Sequence, residues 1–137
     1  MASSDFYALT ETQLNALLEG ELDYSKFFTS KQDEKPRECF SEVGAAWEDL
    51  TALLDDEKAG GKTQTKEIPK MASYNDAKMV KKVAKALAQI DDEELRERYD
   101  DLDLDVDFKT LKKLTKSLTA FYQRAAQNGD AVLLRIT

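Results

Sequence analysis

The chain contains no histidine. Without an imidazole, Ser-His-Asp and Cys-His nucleophilic arrangements and most zinc sites are unavailable. Cysteine occurs once, as Cys39, so no intrachain disulfide can form and a reducing compartment is the natural setting. Cys39 stands beside Phe40 at what reads as a helix start, where a buried structural thiol is a simpler expectation than a nucleophile. Two prolines and five glycines in 137 residues leave most of the chain free to form regular structure. No apolar run approaches the roughly 20 residues that a spanning helix needs. Residues 1–5 show neither the basic nor the apolar region of a signal peptide. The expectation is one domain, residues 1–137, in the cytoplasm.

Negative charge, by contrast, is abundant in one place. Between Asp91 and Asp107 lie ten carboxylates against two cations, Arg96 and Arg98, a net −8 in a chain whose formal total is −7. The rest of the molecule is therefore nearly neutral. A sector of this kind repels nucleic acid and anionic membrane, and it favours a cationic partner or a metal ion. The candidate partner-binding residues are Asp100, Asp101, Asp103, Asp105 and Asp107, flanked by Glu93, Glu94 and Glu97.

The aspartate ladder from Asp101 to Asp107 suggests calcium, but it fails the EF-hand pattern at both diagnostic positions. Val106 occupies the place of the turn glycine, and Lys112 the place of the bidentate glutamate. Three readings stay open: a non-standard calcium or manganese site, a solvated connector, and a docking surface for a basic protein. In the solvated reading, Leu102, Leu104, Val106 and Phe108 alternate with the aspartates and face inward.

Other chemistries find less. Paired carboxylates can serve a glycosidase, yet no aromatic sugar-stacking platform accompanies these. Gly60-Gly61-Lys62-Thr63 resembles the end of a phosphate-binding loop, but the first glycine of that motif would fall on Asp56, and no apolar strand precedes it. It reads as a surface linker. Lys78, Lys81, Lys82 and Lys85 form a basic stripe on one helix, best read as a solvated face in so acidic a chain. No cofactor is implied.

Periodicity gives an α+β fold, with four to five helices on a small sheet formed in part by the N- and C-terminal strands. Phe6–Leu9 reads as a buried strand, followed by a helix with a Thr10/Gln13 capping box that Gly20 ends. Asp23–Ser30 reads as a brief helix. Phe40, Val43, Ala46, Trp47, Leu50, Leu53 and Leu54 predict one helix over Glu38–Asp55. Residues 56–75 read as a flexible segment, with a strand around Thr65–Ile68. A helix capped by Ser73 or Asn75 carries Met79 to Ile90. Another begins at an Asp91/Glu94 capping box and runs to Tyr99. A long one covers Lys109–Asn128 and stops at Gly129, and Ala131–Ile136 is the central strand.

Four segments carry a family resemblance. Leu118 to Leu134, with Phe121-Tyr122 and Gly129, is similar to the closing helix and strand of the YfbM-like family of bacterial proteins of unknown function. Phe6-Tyr7-Ala8-Leu9 resembles that family's opening strand, and Trp47 to Leu54 its Trp-x-x-Leu helix. Val80–Leu87 with Asp91–Leu95 resembles its central helix pair. The middle section around residues 56–75 is shorter than usual in the family. The aspartate ladder stands where a tyrosine–proline element is common.

Proteins similar to this family occur beside polymorphic toxin genes and are taken to act as immunity proteins. The resemblance thus implies a binding protein, not an enzyme. It would neutralise a cognate bacterial toxin as a 1:1 heterodimer by placing its acidic surface in the toxin's basic cleft, with no role for nucleic acid or membrane. The alternative is a calcium- or manganese-dependent module or enzyme using Asp101–Asp107.

Overall fold

Strand β1 (Ser4–Leu9) and strand β5 (Ala131–Ile136) pair antiparallel at the centre of a sheet, in register from Ser4 opposite Ile136 to Leu9 opposite Ala131. The computed structural model describes residues 4–21, 36–44, 46–65 and 71–136. Around the central pair, β2 (Glu38–Gly44), β3 (Thr63–Thr65) and β4 (Met71–Asn75) complete an antiparallel sheet in the order β2-β1-β5-β4-β3. Five α-helices are described: α1 (Glu11–Leu18), α2 (Trp47–Leu53), α3 (Ala77–Ala88), α4 (Asp92–Asp101) and α5 (Phe108–Asn128). The fold is α+β, with the two chain ends supplying the central strands.

The central strands are apolar at consecutive positions because both sheet faces are covered. Phe6, Ala8, Val132 and Leu134 join the larger core with residues of α2 to α5, while Tyr7, Leu9, Ala131 and Leu133 pack with Leu14 and Leu17 of α1. Thr10 and Gln13 close a reciprocal capping box on α1. Helix α5 buries Leu111, Leu114, Leu118, Phe121, Tyr122 and Ala125 along one stripe. Gly129 ends it in the left-handed region, φ 71°, as a glycine there permits.

The single helix expected over Glu38–Asp55 is instead strand β2 followed by the shorter α2. The cause lies in the pairing with β1. Ser4 faces Gly44 and Phe6 faces Phe40, so two steps along β1 span four along β2. That irregularity places Phe40 and Val43, three residues apart, both in the larger core and mimics helical spacing. Phe40 stacks on Phe121, ring centroids 5.7 Å apart. Cys39 therefore lies on a strand and is exposed, neither at a helix start nor buried. Desolvation of its thiol, and then nearby Asp5, push its pKa up, away from nucleophilic character.

Ser73 and Asn75 belong to β4, and Asp76 caps α3 by accepting from the Met79 amide. The expected helix over Asp23–Ser30 lies outside the described residues, as does Ile68. The described part of the 56–75 stretch is tied down through Asn75. Its side chain accepts from the Lys62 amide at 2.8 Å and donates to the Lys58 carbonyl and the Tyr122 hydroxyl. Tyr122 in turn donates to the Ala59 carbonyl at 2.7 Å. The loop that contains Gly60-Gly61 is thus held to β4 and α5 by a connected polar network.

Candidate functional site

Helix α4 fully buries one side chain, Leu95, with Tyr99 packed partly against the core, and exposes most of its remaining residues. Asp91 caps it by accepting from the Glu94 amide at 2.8 Å, and Asp92, Glu93 and Glu94 in the first turn complement the helix dipole. A helix this acidic needs an anchor beyond one leucine. Arg98 supplies it, reaching back to the short 3-10 helix Asp55–Glu57 and binding both Glu57 oxygens at 2.6 and 2.7 Å. It also donates to the Leu53 carbonyl at 3.3 Å. The Glu57 carboxylate, first among its partners, holds the guanidinium pKa well above its ordinary value.

The helix ends at Asp101, and Leu102 is extended, φ −106° and ψ 147°. From there to Asp107 the connector is fixed from three sides. Tyr99 donates its hydroxyl to the Val106 carbonyl at 2.9 Å. One oxygen of Asp49, on α2, accepts from the amides of Asp105 and Val106 at 3.0 and 2.8 Å. Asp107 caps α5, accepting from the Thr110 hydroxyl and amide, and these bonds hold its carboxyl below the usual carboxylate range. Arg96 spreads over the Tyr99 and Phe108 rings, 5.9 and 5.0 Å from their centroids, and reaches Asp100 at 3.2 Å.

All eight candidate residues are exposed. Glu94 touches Arg98 at 3.3 Å, Asp100 pairs with Arg96, and Asp107 is occupied as a cap. Glu93, Glu97, Asp101, Asp103 and Asp105 make no ion pair among the described residues. Alternation along the connector holds for Leu104, Val106 and Phe108, which pack partly against the core. It fails at Leu102, which is 39% exposed among the aspartates. Helix α4 and the connector thus carry five exposed carboxylates without an ion pair among the described residues, and one exposed apolar side chain.

Asp92 stands apart from this face. Lys112 at 2.9 Å and Lys116 at 3.8 Å neutralise it, and the Lys112 hydrogen bond is the main cause of its lowered pKa. Behind it, a groove of about 260 Å³ runs between α3, α4 and α5, lined by Leu87, Ile90, Leu95 and Thr115 among others. Lys78, Lys81, Lys82 and Lys85 are exposed on α3 as the stripe predicted. Among the described residues, no group of three or more aspartate, glutamate or cysteine side chains is placed to hold a metal ion, and the Asp101–Asp107 ladder forms no such group. No described helix is long and apolar enough to cross a membrane.

Asp49 and Glu57 are the parts of this site that sequence reasoning missed. Their partners lie 56 or 57 and 41 residues away, and no periodicity connects such positions.

Comparison with known proteins places the chain. The model of a domain of unknown function, DUF1877, matches residues 3–135, and the chain belongs to that family. Its fold is similar to that of YfbM, a protein of unknown function from Escherichia coli, with a TM-score of 0.73 at 15% identity over 98% of this chain and 99% of that one. No curated protein matches.

Proposed function

We propose that this member of the DUF1877 family is a non-catalytic binding protein. It neutralises a cognate bacterial toxin in the cytoplasm by seating the α4–connector surface in the toxin's basic cleft. The observation that carries the reading is the exposure of all eight candidate carboxylates along α4 and the connector that follows it, five of them without an ion pair among the described residues. Unpaired acidic charge on a held scaffold gives a cationic partner long-range attraction and a defined orientation.

Leu102 adds what charge alone lacks. Exposed ion pairs contribute little affinity each, whereas an apolar side chain buried at the centre of an interface contributes more. A complementary cleft therefore carries arginine or lysine around an apolar socket, and toxins that act on nucleic acids or nucleotides have clefts of the required sign. The complex is a 1:1 heterodimer that needs no cofactor, nucleic acid or membrane.

The test is tagged purification from the native cell at low and then moderate salt, followed by mass spectrometry. One stoichiometric basic protein, toxic when produced alone and harmless when this chain is co-produced, supports the reading. A chain that purifies alone, with no protection conferred, opposes it.

A further inference from the structure

Asp49 is set apart from the acidic run in sequence and lies on a different helix, yet it grips the connector's backbone. Its Oδ2 accepts from two consecutive amides, Asp105 at 3.0 Å and Val106 at 2.8 Å. The side chain is half-buried, so it holds the surface from beneath while the docking carboxylates face outward. The next polar group along the connector, the Val106 carbonyl, is taken by the Tyr99 hydroxyl at 2.9 Å. Three backbone groups of one short segment are thus satisfied by side chains from α2 and α4, in a stretch with neither helical nor ladder hydrogen bonds of its own.

We infer that Asp49 is the positioning residue of the acidic surface: it pins the connector through the Asp105 and Val106 amides, so a partner meets a preformed face and not one ordered on contact. The inference rests on reading that face as the docking surface. A carboxylate suits the task for a physical reason. Two N–H groups converge on one oxygen, and a charged acceptor binds them more strongly than a neutral one. Preformation lowers the entropy that association must spend on ordering a loop, which appears as slower dissociation and as specificity for a cleft of one shape. Asp49 itself contacts no partner in this scheme.

Substitution separates geometry from charge, because Asp49→Ala and Asp49→Asn remove the same single negative charge while only the asparagine keeps a reachable oxygen. The measurement is site-resolved amide hydrogen exchange on the intact chain, without any partner. In D49A the Asp105 and Val106 amides are expected to exchange about tenfold faster or more, with β5 and α5 amides unchanged. In D49N they stay within about threefold of the unsubstituted chain. Should D49A fail to fold, Asp49→Ser, whose hydroxyl is too short to span the gap, takes its place. Unchanged exchange at both amides overturns the inference. So does acceleration spread equally over β5, which would make Asp49 a general stabilising residue. The docking reading is tested separately, by charge reversal at the exposed aspartates, so either can fail alone.

Discussion

Arg98 of α4 and Glu57 of the 3-10 helix meet through two hydrogen bonds of 2.6 and 2.7 Å, with their side chains only 19% and 9% exposed. This pair joins the acidic helix to the body of the domain. Removing the arginine strands a largely buried carboxylate, so R98A is expected to cost about 2 kcal/mol, somewhat below a fully buried pair. Replacing both residues with methionine should recover most of that loss, because neither charge is then left alone. Urea denaturation of the two variants checks this. A loss under about 0.5 kcal/mol for R98A would show that the pair contributes no more than a surface one.

Asn75 and Tyr122 anchor the loop over residues 58–62. Y122F deletes the donor to the Ala59 carbonyl and the acceptor for one Asn75 N–H, and is expected to cost about 1–2 kcal/mol. N75A deletes the acceptor for Lys62 and two donors together, and should cost about 2–4 kcal/mol. The ordering is the claim, and thermal melts of the pair decide it.

Gly61 has φ 104°, and a Cβ there would lie 2.7 Å from the Ser73 Oγ and 2.8 Å from the Tyr74 backbone nitrogen. Alanine is strained by conformation and by contact at once, so G61A should destabilise by about 2–4 kcal/mol. At Gly20 and Gly129 a Cβ meets nothing within 4 Å. Alanine at either is expected to cost about 1 kcal/mol, from the positive φ alone. Equal melting temperatures for G61A and G129A would contradict this account.

Asp130 is 1% exposed, with Arg37 Nε 2.8 Å from its Oδ2. That contact is close but not aligned as a hydrogen bond, and among the described residues neither buried carboxylate oxygen accepts one. Burial raises its pKa, Arg37 opposes the rise, and Glu38 adds to it. A folded-state pKa above the unfolded value means that the folded chain holds the proton more tightly. The stability this confers is complete below the ordinary carboxylate range and is lost as pH rises through the folded value. Relative to wild type, D130N should therefore gain stability between about pH 3.5 and pH 7. Denaturant midpoints of both chains at a series of pH values measure it, and a gain in the opposite direction would refute the assignment.

Much of this architecture is legible in the sequence wherever the cause is local. The Thr10/Gln13 box, the Asp91 cap and the Gly129 stop each depend on residues within one or two turns, and all three appear where the pattern puts them. The central strands announce themselves because burial on two faces removes polar residues from consecutive positions. Strand β2 is illegible for the opposite reason. Its irregular pairing with β1 gives Phe40 and Val43 a helical spacing, and only contact with Phe6 and Phe121 reveals the strand. The acidic face follows the same division. Its charges are countable from the chain, whereas the groups that shape it, Asp49 and Glu57, are distant in sequence. The exposure of Leu102 also escapes an alternation rule, because the helix end sets it and the strand period does not.

Asp101, Asp103 and Asp105 are solvent-facing and unpaired among the described residues, so D101K/D103K/D105K should leave the melting temperature nearly unchanged. The decisive measurement is retention of the co-purifying basic partner by the wild-type and triply substituted chains at physiological salt. Wild type is expected to keep the partner in 1:1 ratio, while the folded triple variant releases it and no longer protects the cell. A triple variant that keeps its partner and still protects would contradict the account.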